Sequence, residues 1–217
     1  MELFSRSLAV LMLFIISPLI LFISVGSLLF HGLPIFFKHE RVGFKHKFFF
    51  LYKFRTMKIN NENQSITELG DSRITIWGKI LRALKLDELP QLWNIVKGDM
   101  RFIGPRPEIQ QYVNEYDFSF LENIKPGLTD FSSILLRNEV VILSNAGGIG
   151  RYPELLKIKT ELGHMYAEQK GFWLDMKLVI LTLISIILPK TAIVLIKKLF
   201  INKYNPNLIP VIDKWLG

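Results

Sequence analysis

The sequence predicts a mainly helical chain with a small β element (α+β) and one N-terminal membrane segment. Three observations predict it. Leu8–Phe30 is a run of 23 residues without a charge. Two short aromatic runs flank a polar stretch near residue 40, and segments beyond them, Ile74–Leu86 and Glu108–Ile124 among them, carry apolar residues at helical spacing. Half of the 217 residues are hydrophobic, which excludes disorder for most of the chain. One long apolar run excludes a polytopic transporter. The absence of cysteine excludes disulfide scaffolds, cysteine nucleophiles and thiolate metal sites together.

The membrane segment comes first. As a straight helix, Leu8–Phe30 would be about 34 Å long, enough for a hydrocarbon core of about 30 Å. No small-x-small cleavage site comes after it, so it reads as an anchor rather than a signal peptide. Ser17-Pro18 lies at its middle. Proline lacks an N–H and clashes with the carbonyl four residues back, that of Phe14, and the Ser17 hydroxyl offers a local hydrogen bond. Either a kinked spanning helix or two half-helices that enter and leave on one face satisfies these residues. From Lys38 to Lys58 there are seven basic residues against one acidic, which places that side in the cytoplasm and suits anionic headgroups.

Pro34–Phe37 and Phe48–Phe54, with Lys38–Lys47 between them, read as a hairpin or two short strands. Asn60–Asp71 is a polar loop, and Ile74–Leu86 is helical with Ile80, Leu81 and Leu84 on one face. Asp87 starts a second helix as its cap, with Glu88, Leu89 and Pro90 in the first turn and Gly98 as the stop. Glu108–Ile124 and Tyr152–Gln169 are helical, with Lys125-Pro126-Gly127 as a turn. Leu178–Leu188 is an apolar run of 11, too short to span. Flanking Trp173, Lys177 and Lys190 suit a helix in the membrane interface, and a buried core helix fits equally well.

The residues fit for chemistry are Arg82, Asp87-Glu88 and Gly104-Pro105-Arg106-Pro107. Adjacent carboxylates on a helix point about 100° apart, so a site uses both in different roles, one toward a divalent metal and one as nucleophile or base. Pro105 and Pro107 fix the backbone around Arg106, whose fork matches phosphate oxygens. Carboxylates, arginines and a helix start together point to phosphoryl transfer with magnesium. Each also has a plainer reading: Asp87 as a cap, Glu88 as a first-turn acid favoured by the helix dipole, Pro-Arg-Pro as a stiff loop. The four histidines show no metal-ligand spacing, and no Walker, GxSxG or HExxH pattern occurs.

In order and spacing these pieces resemble the bacterial sugar transferase family, the monotopic polyprenyl-phosphate phosphoglycosyl transferases. The resemblance runs through Ser17-Pro18, His39-Glu40-Arg41-Val42-Gly43, Tyr52-Lys53-Phe54-Arg55-Thr56-Met57 and Asp71-x-Arg73-Ile74-Thr75. Its centre is Leu86-Asp87-Glu88-Leu89-Pro90-Gln91-Leu92-Trp93-Asn94 through Gly98-Asp99-Met100. It continues through Gly104-Pro105-Arg106-Pro107, Lys125-Pro126-Gly127-Leu128-Thr129, Arg137-Asn138 and Trp173-Leu174-Asp175-Met176-Lys177.

The resemblance implies transfer of a sugar-1-phosphate from a UDP-sugar to undecaprenyl phosphate or a similar polyprenyl phosphate. UMP leaves, in the first membrane step of capsule, O-antigen, exopolysaccharide or glycoprotein glycan synthesis. It implies a covalent phosphosugar on Asp87, magnesium at Glu88 with Asp87 beside it, and phosphate-binding Arg82, Arg106, Arg137 and Lys53. It also implies a re-entrant helix (1–33) broken at Ser17-Pro18 and a catalytic domain (34–217) with interfacial helices on the cytoplasmic face of the bacterial inner membrane. Expected partners are the UDP-sugar, undecaprenyl phosphate, membrane lipids and downstream glycosyltransferases, but no nucleic acid. The resemblance also implies that the chain corresponds to the family's minimal catalytic form. It departs from many members at Asp130–Leu136, where a Gly-Trp-Ala-Gln-Val-Asn-Gly stretch is replaced. A non-catalytic membrane adaptor of the same fold is the alternative, against which the intact Asp87-Glu88 pair speaks. A basic nucleic-acid binder has only the net charge of +8 in its favour.

Overall fold

The computed structural model describes residues 2–58 and 68–216. Most of the expected polar loop Asn60–Asp71 lies outside the described residues. The chain forms two compact units. One comprises Met1–Arg41 with Phe48–Arg101, the other Val42–Lys47 with Phe102–Gly217.

In the first unit the apolar run is two helices, α1 (Glu2–Ile15) and α2 (Ser17–His31), bent by 62° at their junction. The cause is local. Pro18 opens α2, where a missing N–H is harmless. The Ser17 hydroxyl donates to the Phe14 carbonyl at 2.8 Å, as the sequence foreshadowed. Among the described residues no single helix is long and apolar enough to cross a membrane; the bent pair together has that length and composition.

The predicted hairpin is present as β1 (Phe36–Val42) paired with β2 (Phe48–Phe54). Its first strand runs later than the expected Pro34–Phe37. Helix α3 (Ile76–Ala83) begins at Thr75, whose hydroxyl accepts the Gly78 N–H at 2.9 Å. The expected apolar face of α3 is corrected. Leu81 is buried, whereas Ile76, Ile80 and Leu84 form an exposed row at i, i+4, i+8. Trp77 instead turns inward. It donates to the Ser27 hydroxyl at 3.1 Å and stacks on Phe30, with ring centroids 5.5 Å apart. Gly26 leaves room for it, since a Cβ there would lie 2.5 Å from the indole. Ile23, Phe54 and Leu81 make a buried cluster on which Ile20, Trp77, Leu86 and Leu89 pack. Helix α2, the hairpin and α3 therefore share one small core.

Helix α4 (Gln91–Lys97) follows, stopped as expected by Gly98 at φ 84°. Arg6 of α1 lies over Gly98, where any Cβ would collide with the guanidinium.

In the second unit β3 (Arg101–Ile103) pairs with β4 (Gly127–Thr129). Gly127 is not the centre of a turn, as expected, but the start of β4. A Cβ there would lie 2.1 Å from the Gly104 nitrogen, so two backbones meet where a side chain has no space. The helix expected over Glu108–Ile124 is shorter, α5 (Gln110–Glu115). Tyr116 is extended, and the Asp117 carboxylate accepts the Ser119 N–H at 3.0 Å, starting a separate 3₁₀ turn at Ser119–Glu122. The atypical segment Asp130–Leu136 is α6 (Phe131–Leu135), capped by Asp130 and buried through Phe131, Ile134, Leu135 and Leu136.

Helices α7 (Glu139–Asn145) and α8 (Tyr152–Gln169) follow, α8 where the periodicity predicts it. Then come α9 (Phe172–Ile187), α10 (Pro189–Ile196), a π-helical turn at Lys197–Ile201, α11 (Asn202–Tyr204) and α12 (Leu208–Leu216). On α9 the apolar run is divided between a buried and an exposed face, so it is a core helix on one side only. Leu174, Leu178, Leu181 and Ser185 are buried, while Trp173, Ile180, Leu183 and Ile187 are exposed.

Candidate active site

Lys53, Arg82, Asp87 and Glu88 come together in the first unit. Asp87 does not cap α4, contrary to the expectation. It sits in a 3₁₀ turn, Leu86–Glu88, and α4 starts after Pro90 without a side-chain cap. Leu86 and Leu89, on either side of the pair, are seated on the shared core, which fixes the turn. Lys85, just before it, is held at φ 57°, a conformation that costs a non-glycine residue of order 1 kcal/mol or more. Both features put a carboxylate where local helix stability gains nothing from it.

Asp87 is 7% exposed, and its Oδ1 has no hydrogen-bond partner. Burial pushes its carboxyl above the usual carboxylate range and the neighbouring Glu88 adds to this; Lys53, Arg82 and Lys85 pull the other way. Glu88 accepts a hydrogen bond from Lys53 Nζ at 3.2 Å. Arg82 donates through Nε to the Thr56 hydroxyl at 2.9 Å. Burial lowers its guanidinium from the usual value, with Asp87 and then Asp71 acting against that. Asp71 is gripped by Arg73 at 2.9 and 2.6 Å, which holds its carboxyl below the ordinary range.

The sequence reading missed Thr56, which aims Arg82, and Asn94, which aims the strand carrying Lys53. Asn94 is fully buried; its side chain accepts from Tyr52 N at 3.1 Å and donates to the Phe50 carbonyl at 2.7 Å. A polar residue between Trp93 and Ile95, inside the apolar stretch Leu92–Val96, was the available signal. Gln91, 1% exposed, also leaves its Nε2 without a partner. A buried acceptor on Asp87 and a buried donor on Gln91, four residues further on, are thus both left unsatisfied.

Arg106 and Arg137 belong to the second unit. Arg106 is half-buried between buried Pro105 and Pro107, and the Pro105 carbonyl accepts the Gly127 N–H at 3.0 Å. Arg137, also half-buried, joins α6 to α7.

Gly78 supports this geometry from behind. A Cβ there would lie 2.0 Å from the Thr56 carbonyl oxygen, a backbone atom that cannot swing aside. Gly78→Ala is expected to force α3 off the backbone at Thr56, costing about 1–3 kcal/mol and displacing the Thr56–Arg82 pair. Thermal unfolding of the purified variant checks the first effect. Unchanged stability would mean that α3 yields there freely.

The model of the bacterial sugar transferase family matches residues 1–189. The chain is 31% identical, over 86% of its length, to a UDP-glucose:undecaprenyl-phosphate glucose-1-phosphate transferase of Xanthomonas campestris pv. campestris. It is 32% identical, over 82% of its length, to a UDP-N-acetylgalactosamine-undecaprenyl-phosphate N-acetylgalactosaminephosphotransferase of Aeromonas hydrophila. It spans 38% and 41% of those two relatives' lengths. It is 34% identical to EpsL, an uncharacterized sugar transferase of Bacillus subtilis (strain 168), over 83% of this chain and 84% of EpsL.

Proposed function

Since the chain belongs to the bacterial sugar transferase family, we propose that it transfers a sugar-1-phosphate from a UDP-sugar to undecaprenyl phosphate, with Asp87 as the nucleophile. The observation that carries the reading is Asp87 itself: a buried carboxylate with an unpartnered oxygen, flanked by the cations of Lys53 and Arg82. A structural acid would be hydrogen-bonded. One that waits for an electrophile is left open and is surrounded by charges that suit an incoming anion.

In the first half-reaction the Asp87 carboxylate attacks the sugar-bearing phosphorus of the donor. An oxygen–phosphorus bond forms, the bond to UMP breaks, and UMP leaves with the electron pair. In the second, a phosphate oxygen of the polyprenyl acceptor attacks the same phosphorus. The carboxylate leaves, and a polyprenyl diphosphate sugar is released. Lys53, bonded to Glu88, brings a cation beside the attacking carboxylate. Arg82, aimed by Thr56, is placed to receive phosphate oxygens in both steps. By the motif match, Arg106 and Arg137 are assigned to the substrate phosphates.

Magnesium belongs to this reading. Two adjacent carboxylates, one with an open oxygen, fit a cation that takes one or two protein carboxylates and completes its shell with water and substrate phosphate. Glu88 with Asp87 would hold it, and it would supply neutralisation of the charge that builds on the phosphate oxygens.

The same reading places the helix pair in one leaflet of a bacterial inner membrane, with both ends on the cytoplasmic side. Each helix, of 14 and 15 residues, is about 21–22 Å long, and symmetric arms meeting at the 62° bend descend about 11 Å. That is less than a leaflet of about 15 Å. Arg6 near one end rests on α4, and Gly26 and Phe30 near the other rest on Trp77 of α3. A spanning segment would leave one end across the membrane, away from these elements. The exposed row Ile76, Ile80, Leu84 and the outer face of α9 are suited to contact lipid. Pro18→Ala is expected to straighten the pair and carry the N-terminus across the membrane. The cysteine-free chain makes Glu2→Cys a clean reporter. Labelling that stays cytoplasmic in the Pro18→Ala protein would count against re-entry.

The test of the function is UMP release from a panel of UDP-sugars with undecaprenyl phosphate and magnesium. Release with one donor, abolished by a chelator, is the expected result. No release from a folded, membrane-bound protein with any donor would favour the non-catalytic adaptor.

A further inference from the structure

Lys159 stands apart from everything the reaction uses. It is a fully enclosed cation of the second unit, on α8, with its side chain 8% exposed. Its Nζ meets Glu108 Oε1 at 2.9 Å, Glu139 Oε2 at 2.8 Å and the Tyr152 hydroxyl at 3.1 Å. An ammonium has three protons to donate, and here each has an acceptor. Burial works against the charge, but Glu108 and then Glu139 outweigh it, and the lysine is held well above its usual range.

Such a cluster is a poor way to gain stability. Desolvating the charges offsets most of their attraction, and apolar residues of similar volume often do as well. What an apolar trio cannot do is fix two chain segments to one point with hydrogen-bond precision. The two carboxylates are two residues beyond Arg106 and Arg137 respectively. Each arginine Cα therefore lies within about 7 Å, along the chain, of a Cα whose side chain is tied to Lys159. The first link is stiff. Pro107 joins Arg106 to Glu108 with a fixed φ and restricts Arg106 as well. Asn138 joins Arg137 to Glu139 at the start of α7.

We propose that Lys159 is a positioning residue, a tie that holds the Arg106 and Arg137 segments at a fixed separation so that both arginines engage the phosphates of one substrate. This rests on the phosphate-binding roles proposed for the two arginines. It predicts that loosening one arm of the tie acts through the arginine that arm carries.

Glu139→Gln is the variant of choice. Glu139 is the more exposed of the two carboxylates, and the Lys159–Glu108 bond survives the change. Two readouts decide. The first is UMP release in a cycle with Arg137→Ala. Glu139→Gln is expected to lower kcat/KM about 10-fold in the parent, and less than 2-fold when Arg137 is already absent. The second is amide hydrogen exchange, which needs no turnover. Exchange is expected to quicken in 136–140 of Glu139→Gln, while 104–108, still tied through Glu108, and α9 are unchanged. Equal factors in both backgrounds, or exchange that is unaltered or raised evenly over the unit, would overturn the tie. Should the parent release UMP from no donor, the transferase reading fails separately. Exchange then decides alone: loosening confined to 136–140 upholds the tie, and its absence removes it.

Discussion

Asp87→Asn is expected to reduce UMP release by about 10⁴-fold or more and, at neutral pH, to raise the melting temperature of the same protein. The first effect follows from the chemistry. An amide oxygen is a feeble nucleophile and its phosphoryl adduct has no stable form, while the side chain keeps its shape. The second follows from burial. The folded-state carboxyl of Asp87 is pushed up by desolvation and then by Glu88. A group raised in this way contributes stability that is fully present below its unfolded value, near 3.9, and is lost as pH rises through the folded value. At pH 7 the ionised side chain therefore costs stability, which asparagine does not. The gain is about 2–4 °C for each kcal/mol recovered in a chain of this size, and the gap between variant and parent should close as pH falls toward 4. Turnover near the parent's rate would remove Asp87 as the nucleophile. Loss of turnover with a lower melting temperature would make it a structural acid.

The opposed signs explain what the sequence did and did not disclose. Elements set by local chemistry were legible: the break at Ser17-Pro18, the stop at Gly98, the full extent of α8, and the aromatic strand Phe48–Phe54. The grouping of Lys53, Arg82, Asp87 and Glu88 was legible through motif order. Elements set by tertiary contacts were not. Asp87 has the residue type and place of a helix cap, and propensity assigns it that role. The seating of Leu86 and Leu89 on a core shared with Ile23 moves the helix start past Pro90 and leaves the carboxylate in a strained turn. Ile80 and Leu84 look like core by spacing. They are exposed because α3 turns Trp77 and Leu81 inward, held by partners on α2 that lie 50 residues away for Trp77. Helix α9 divides an 11-residue apolar run between core and surface, which composition alone cannot apportion. Thr56 and Asn94 matter through single hydrogen bonds across long chain separations, and no periodicity marks such bonds.

Lys159→Met is expected to be the most destabilising single change in the second unit, by about 3–5 kcal/mol, read as a melting temperature lower by about 10 °C or more. The cost does not come from lost attraction. It comes from Glu108, whose side chain is 6% exposed and would remain as a buried anion without its cation. Glu139, at 30% exposure, is nearer to solvent and contributes less when released. Tyr152 cannot replace the lysine, because burial and then Glu108 push its hydroxyl far above the usual range and leave a neutral, single donor. Adding Glu108→Gln to Lys159→Met should therefore restore part of the loss, since the amide removes the stranded charge and can still bond Tyr152. If the double variant is no more stable than the single, the loss is one of packing around a long aliphatic stem. If it recovers, the charge is the liability. The tie to the arginine-bearing segments then explains why the fold keeps so costly a group at that place.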